Sequence, residues 1–167
     1  MPFLAGQTVT AADLNLATQK VIARGRRVTT SAGTTSVVGI MRLDDKPVLA
    51  GRTYKISAGP LQLDSTVAND HIRAVITYTT DGSTPTTGSA TLPGAVAEGQ
   101  QDNIAFGETR TIETTYTPAA DETLSLLLCV QRINGTGTVT LVGSADFDFE
   151  MKIENAGEDV GDTGTDI

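Results

Sequence analysis

The clearest structural signal in the chain is the run FDFEMKIE, residues 147–154. Its apolar side chains alternate with charged ones, so the two sets point to opposite faces of an extended strand. The apolar set is Phe147, Phe149, Met151 and Ile153. This period of two predicts a strand that packs one face on a hydrophobic core and leaves the other in water.

A second run, LSLLLCV at residues 124–130, is apolar on both faces of a strand. One face would carry Leu124, Leu126, Leu128 and Val130. Because Leu127 and Cys129 fall on the opposite face, the run predicts a central strand that is covered on both sides.

Weaker strand patterns lie at Val37–Leu43, Arg52–Ile56, Ile72–Tyr78, Ile104–Phe106 and Arg110–Tyr116. A turn is predicted at 44–47, a long loop at 86–101, and a hairpin turn at 134–137 that leads into a strand at 138–142. Seven to nine short strands, mostly antiparallel, indicate a mainly β protein with an antiparallel β-sandwich of jelly-roll topology.

The N-terminal stretch PFLAGQTVTAADLN, residues 2–15, has a different pattern. Thr10 is a good N-cap, and Asp13 three residues later completes a weak capping box. These signals predict a short helix from Ala11 to Arg24, ending at Gly25 as a left-handed cap. Its apolar stripe would hold Leu14, Ala17, Val21 and Ile22. A helix of this length is marginal alone, so it must pack against the β-domain or against another chain.

These patterns divide the chain into three parts. Residues 1–27 form an arm and helix, residues 28–154 form the sandwich, and residues 155–167 form an acidic, flexible C-terminal tail.

Composition and charge exclude several classes of function. The net charge is −8, with 20 acidic and 12 basic side chains, which argues against a general affinity for nucleic acid. The one basic cluster, Arg24, Arg26 and Arg27, is interpreted as cations at the C-terminal end of the helix. No apolar run approaches the roughly 20 residues that cross a bilayer, so no membrane partner is expected. A single cysteine excludes an internal disulfide and a cysteine-based zinc site.

No catalytic constellation is recognisable, and we expect neither an enzyme nor a cofactor. His71 is the only histidine and Cys129 the only thiol, and nothing in their positions makes them partners. The carboxylates of Asp146, Asp148 and Glu150 would spread over roughly 13 Å along a strand. They could bind a calcium ion only with oxygens from another segment or subunit, so no metal site is predicted and bound calcium stays an open question.

Four segments together resemble a known class of proteins. They are similar to segments of small structural proteins of tailed bacteriophages, especially those of actinobacteria. The four segments are residues 2–15, LAGRTY at 49–54, YTTDGSTPT at 78–86 and TPAADETL at 117–124. Proteins of this type are commonly minor tail proteins, and some related β-sandwich proteins decorate phage heads.

The resemblance implies a non-enzymatic virion protein, assembled in the host cytoplasm and attached to tail or capsid proteins through its N-terminal helix. It also implies a homo-oligomer, with a trimer favoured. The expected anchor or oligomer interface comprises Phe3, Leu4, Val9, Leu14, Ala17, Val21 and Ile22. Two alternatives remain: a capsid decoration protein, and a carbohydrate-binding module that adheres to a host-surface glycan.

Overall fold

The computed structural model describes residues 21–100 and 107–158, which form nine β-strands. Their bounds are β1 Val21–Arg27, β2 Val38–Val48, β3 Arg52–Ser65, β4 His71–Thr79, β5 Thr91–Gln100, β6 Glu108–Tyr116, β7 Glu122–Asn134, β8 Val139–Val142 and β9 Phe149–Glu158. Among these residues there is no helix that is long and apolar enough to cross a membrane.

The strands form two facing antiparallel sheets. The first sheet has the order β1-β9-β3-β6, with β8 also paired to β3, and the second has the order β2-β7-β4-β5. Four of the strand pairs are those of one long hairpin whose tip is the β4–β5 connection. These pairs are β1·β9, β2·β7, β3·β6 and β4·β5. Winding this hairpin brings β9 beside β3 and β7 beside β4, which is the strand order of a jelly roll. The predicted sandwich and topology are confirmed.

The core lies between the sheets and follows the predicted alternation. Phe149, Met151 and Ile153 of β9 are fully buried, and Glu150, Lys152 and Glu154 between and after them are half-buried. Phe147, the first apolar residue of the predicted strand, precedes β9 and is only half-buried. Strand β7 lies inside its sheet between β2 and β4, so the predicted central position is confirmed. On its outer face Cys129 is buried but Leu127 is partly exposed, so this face is covered only in part. Its inward side chains Leu124, Leu126, Leu128 and Val130 have no exposed surface.

The helix prediction is wrong for residues 21–24, which belong to strand β1. This strand pairs with β9, so its side chains alternate: Ala23 is buried, and Arg24 and Arg26 are exposed. Gly25 is not a helix cap. A Cβ at Gly25 would lie 2.9 Å from the Met41 sulfur, so its small size allows β1 to approach β2. Pairing with β9 therefore outweighs the local helical pattern. The remainder of the predicted helix lies outside the described residues.

Two other local predictions are wrong. Residues 44–47 continue strand β2 through a bulge, where the register shifts between Leu43 and Lys46 and Asp45 has a φ of 54°. The predicted loop at 86–101 contains strand β5, whose inward residues Leu92, Ala95, Ala97 and Gly99 are mostly too small to give a strong apolar pattern.

The predicted hairpin at residues 134–137 is also wrong. Strand β7 belongs to the second sheet, whereas β8 pairs with β3 in the first. The turn is therefore a corner between the sheets.

The sandwich has two distinguishable ends. Strand β1 begins at Val21 opposite Glu154, and β9 ends at Glu158 opposite Arg52. The chain thus enters and leaves at the same end, which we call the terminal end. The β2–β3, β4–β5 and β6–β7 connections lie there too, and the β1–β2, β3–β4 and β7–β8 connections lie at the distal end.

Two truncations distinguish the contribution of strand β1 to stability from that of the residues before it. Removing residues 1–20 should leave the free energy of unfolding of the sandwich nearly unchanged. Removing residues 1–27 should lower it by at least about 3 kcal/mol, because β9 loses a ladder partner and Ile22 and Ala23 leave the core. Urea unfolding followed by circular dichroism measures both, and equal stability of the two truncations would contradict the placement of β1.

Candidate functional site

Three segments that are distant in sequence meet at the terminal end. The backbone N–H of Gly51 donates to the carbonyl of Pro118 over 3.2 Å, and that of Ala50 donates to the Asp121 carboxylate over 2.8 Å. Thr123 donates its N–H to the carbonyl of Thr80 over 3.1 Å. These contacts join residues 49–54, 78–86 and 117–124, the internal segments on which the phage resemblance rests.

Two tyrosines pack against each other and against the core at this end of the sandwich. The rings of Tyr78 and Tyr116 lie edge to face, with centroids 5.9 Å apart and planes at 64°, and both pack on the core. The Tyr116 hydroxyl donates to the Glu122 carboxylate. Burial raises the pKa of Tyr116, and the bond to Glu122 raises it further.

Tyr54, in the same region, is fully buried and anchors the β2–β3 connection. Its hydroxyl oxygen accepts a hydrogen bond of 2.8 Å from the N–H of Leu49. Burial raises the pKa of the Tyr54 hydroxyl, so it stays protonated at physiological pH. The terminal end is therefore held by both backbone and aromatic contacts.

The predicted anchor residues are only partly described. Val21 and Ile22 lie half-buried at the start of β1, and Ile22 packs against the sandwich core. Phe3, Leu4, Val9, Leu14 and Ala17 lie outside the described residues. Residues 1–20 nevertheless join the sandwich at Val21, which is at the terminal end.

Two arginines of the cluster pair with carboxylates at the start of β9. Arg24 bonds to Glu150 of β9, and Arg26 bonds to Asp148, the residue just before β9. The Arg26 hydrogen bond lowers the pKa of Asp148. Arg27 instead donates to the carbonyl of Ile40 over 2.8 Å, where β1 meets β2. These cations connect strands, and the interpretation as helix-terminal charges is wrong.

The distal end holds a buried carboxylate that the sequence did not reveal. Asp70 has an exposed fraction of 1% and accepts hydrogen bonds from the Ser65 hydroxyl at 2.6 Å and from the N–H groups of Thr136 and Gly137 at 3.0 and 2.8 Å. It thereby fixes the corner at which the chain passes from β7 to β8. Its partners on that corner lie 66 and 67 residues away, so no local pattern identifies it.

The pKa of Asp70 lies below its ordinary value. Burial alone would raise this pKa, but the hydrogen bonds from Ser65, Thr136 and Gly137 and the charge of Arg132 outweigh the effect of burial. The carboxylate is therefore ionised at neutral pH and acts as a structural acceptor.

His71 and Cys129 are not neighbours. Cys129 lies opposite Val75 on β4, four residues from His71, which is roughly 13 Å along a strand. His71 is exposed at the start of β4, and Cys129 is fully buried. Within residues 21–100 and 107–158, no group of three or more His, Cys, Asp or Glu side chains is placed to hold a metal ion.

Comparisons with known proteins add little to this geometry. No protein-family profile matches the chain, and no curated protein matches it. Among solved structures, the chain is similar to an Eiger TNF from S. frugiperda, with a TM-score of 0.37 and 12% identity over 89% of this chain and 100% of the other. A likeness at that TM-score carries no argument about function.

The corner held by Asp70 gives a stability prediction. Asp70→Asn should lower the free energy of unfolding at pH 7 by about 2 kcal/mol, because an amide cannot accept all three hydrogen bonds. Asp146→Asn, which removes the same charge from an exposed position, should leave it nearly unchanged. Urea titrations measure both, and equal effects of the two substitutions would contradict the role of Asp70.

The same substitution should change the pH dependence of stability. The pKa of Asp70 is lower in the folded chain than in the unfolded chain, so the unfolded state binds the proton first as the pH falls. The stabilising contribution of the Asp70 carboxylate is fully present above the ordinary carboxyl pKa of about 4. This contribution is lost as the pH falls through the lower pKa that Asp70 has in the folded chain. The acid limb of the stability curve should be shallower in Asp70→Asn than in the unsubstituted chain.

Cys129 should be unreactive in the native protein. Burial raises the pKa of its thiol and removes it from solvent, so little thiolate is accessible. A disulfide-exchange reagent at pH 8 should label it at least tenfold more slowly in buffer than in guanidinium chloride. Rapid labelling of the folded chain would show that β7 opens.

Proposed function

We propose that this chain is a non-enzymatic structural protein of a tailed-bacteriophage virion, built into the tail as a minor tail protein. Residues 1–20 attach it to the particle and bring copies together, with a homotrimer favoured. The sandwich projects from this attachment, and its distal end faces outward.

One observation carries this proposal. The internal segments that resemble phage structural proteins form a single hydrogen-bonded end of the sandwich, and strand β1 begins with Val21 at that same end. Three segments that are separate in sequence therefore form one continuous region in space. A region of this kind suits the part of a structural protein that is tied to an assembly.

The proposal assigns the apolar side chains Phe3, Leu4, Val9 and Leu14 to contacts with another virion protein or another copy of the chain.

Incorporation into particles tests the proposal. The full chain, supplied in a host cell during infection, should be found in washed virions by mass spectrometry. A chain that lacks residues 1–20 should be folded but absent from the virions. A chain that lacks residues 159–167 serves as the matched control and should be incorporated. Absence of the full chain, or equal incorporation of the chain without residues 1–20, would overturn the proposal.

The same particles show whether the protein is located at the tail or on the head. A minor tail protein should be present in a handful to tens of copies and should be labelled by antibody at the tail. A capsid decoration protein, the alternative retained from the sequence, would be present in hundreds of copies and labelled over the head.

A further inference from the structure

The corner between β7 and β8 contains an asparagine that is followed directly by a glycine. Asn134 precedes Gly135, whereas the other asparagines of the chain precede larger residues. Residues 133–136 are all exposed, so Asn134 and Gly135 are both open to water. In such a pair the side-chain amide is most easily reached by the next backbone nitrogen, because glycine has no Cβ to hinder the approach.

The folded turn holds the two groups that would react close together. The N–H of Gly135 donates to the side-chain oxygen Oδ1 of Asn134 over 2.8 Å. Because Oδ1 is bonded directly to Cγ, this contact keeps the Gly135 nitrogen beside the carbon that it would attack. An unfolded chain samples this arrangement only among many others, so the fold pre-organises the reaction.

The buried carboxylate of Asp70 explains why a glycine follows Asn134. Gly135 has a φ of 111°, and a Cβ there would collide with the Asp70 carboxylate. The next two N–H groups, those of Thr136 and Gly137, donate to this carboxylate. The contact with Asp70 therefore requires glycine at this position, and it leaves the neighbouring amide open to attack.

We propose that Asn134 is a site of spontaneous deamidation in the folded protein, and that its isoaspartate product releases the corner from Asp70. Solvent base removes the N–H proton of Gly135, and the nitrogen then attacks Cγ of Asn134. The C–N bond of the side-chain amide breaks, and the amide nitrogen takes up a proton and leaves as ammonia. The product is a cyclic imide between Asn134 and Gly135.

One water molecule then opens the imide in either of two ways. Breaking the bond from the Gly135 nitrogen to Cγ leaves an aspartate at position 134. Breaking the bond to the main-chain carbonyl carbon leaves isoaspartate, in which the backbone runs through Cβ and Cγ. Water replaces ammonia in both products, and nothing is oxidised or reduced.

The isoaspartate product disturbs the contacts of Asp70. It lengthens the backbone by one carbon just before Gly135, so the N–H groups of Thr136 and Gly137 cannot both keep their distances of 3.0 and 2.8 Å to the Asp70 carboxylate. Asp70 is 1% exposed and would then be a buried anion with too few donors. The modification should therefore destabilise the corner between the sheets.

Peptide mapping of the full chain after incubation at pH 8 tests the site. Trypsin cleaves after Lys and Arg, so Asn69, Asn134 and Asn155 fall on separate peptides, residues 56–73, 133–152 and 153–167. Mass spectrometry should show conversion at Asn134 well before the other two. Conversion at Asn134 should be at least as fast in buffer as in guanidinium chloride, because the folded turn holds the reacting groups together. Conversion no faster than at Asn69 and Asn155, or slower in the folded than in the unfolded chain, would overturn the proposal.

Urea unfolding of the aged protein tests the effect on the corner. The isoaspartate form, separated by ion exchange, should unfold at a lower urea concentration than the unmodified chain. Asn134→Gln is the matched control, because its longer side chain does not form this imide, and its midpoint should not change during the same incubation. The loss should be smaller in Asp70→Asn, whose corner already lacks part of its hydrogen bonding.

An isoaspartate form with an unchanged midpoint, or an equal loss in Asp70→Asn, would overturn the release of the corner. Both measurements use the purified full chain, so their outcome is independent of incorporation into virions.

Discussion

The winding of one long antiparallel hairpin determines where every other feature of this molecule lies. Because consecutive strands reverse direction, the connections alternate between the two ends of the sandwich. The winding brings β9 between β1 and β3 and brings β7 between β2 and β4, so the two most regular strands of the sequence lie inside their sheets. It also places the first and last described strands side by side, so that the chain enters and leaves at one end. The grouping of three connections there follows from the same winding.

A wound hairpin leaves two seams where the sheets approach each other without a β-ladder. At one seam, Arg27 donates to the carbonyl of Ile40, and Gly25 permits close contact with Met41. At the other, the Thr114 hydroxyl donates to the carbonyl of Pro93 at 2.7 Å. Side chains thus satisfy carbonyl groups that edge strands would otherwise present to solvent, which lowers the tendency of these edges to pair with other chains.

The fold class could be read from sequence because alternation is strong in the strands that form the core. Residues 149–153 and 124–130 bury large side chains with a period of two, and this pattern depends only on neighbouring residues. Strand β1 could not be recognised, because its short apolar pattern fits a helix as well as a strand and its partner lies on β9. Strand β5 was hidden for another reason, since its inward positions are largely small residues.

The candidate site shows the same division between local and distant information. The three segments at the terminal end are continuous phrases of sequence, so they could be singled out before their contacts were known. The Asp70 corner was not predictable, because a lone Asp beside a strand is common and its backbone partners on the turn are 66 and 67 residues away.

The distribution of aromatic side chains has an optical consequence. The chain has no tryptophan and three tyrosines, and Tyr54, Tyr78 and Tyr116 all lie at the terminal end. Ultraviolet emission from the unlabelled protein therefore comes from this one end. It gives a native signal for events near the point where residues 1–20 join the sandwich, whereas changes confined to the distal end should be nearly silent.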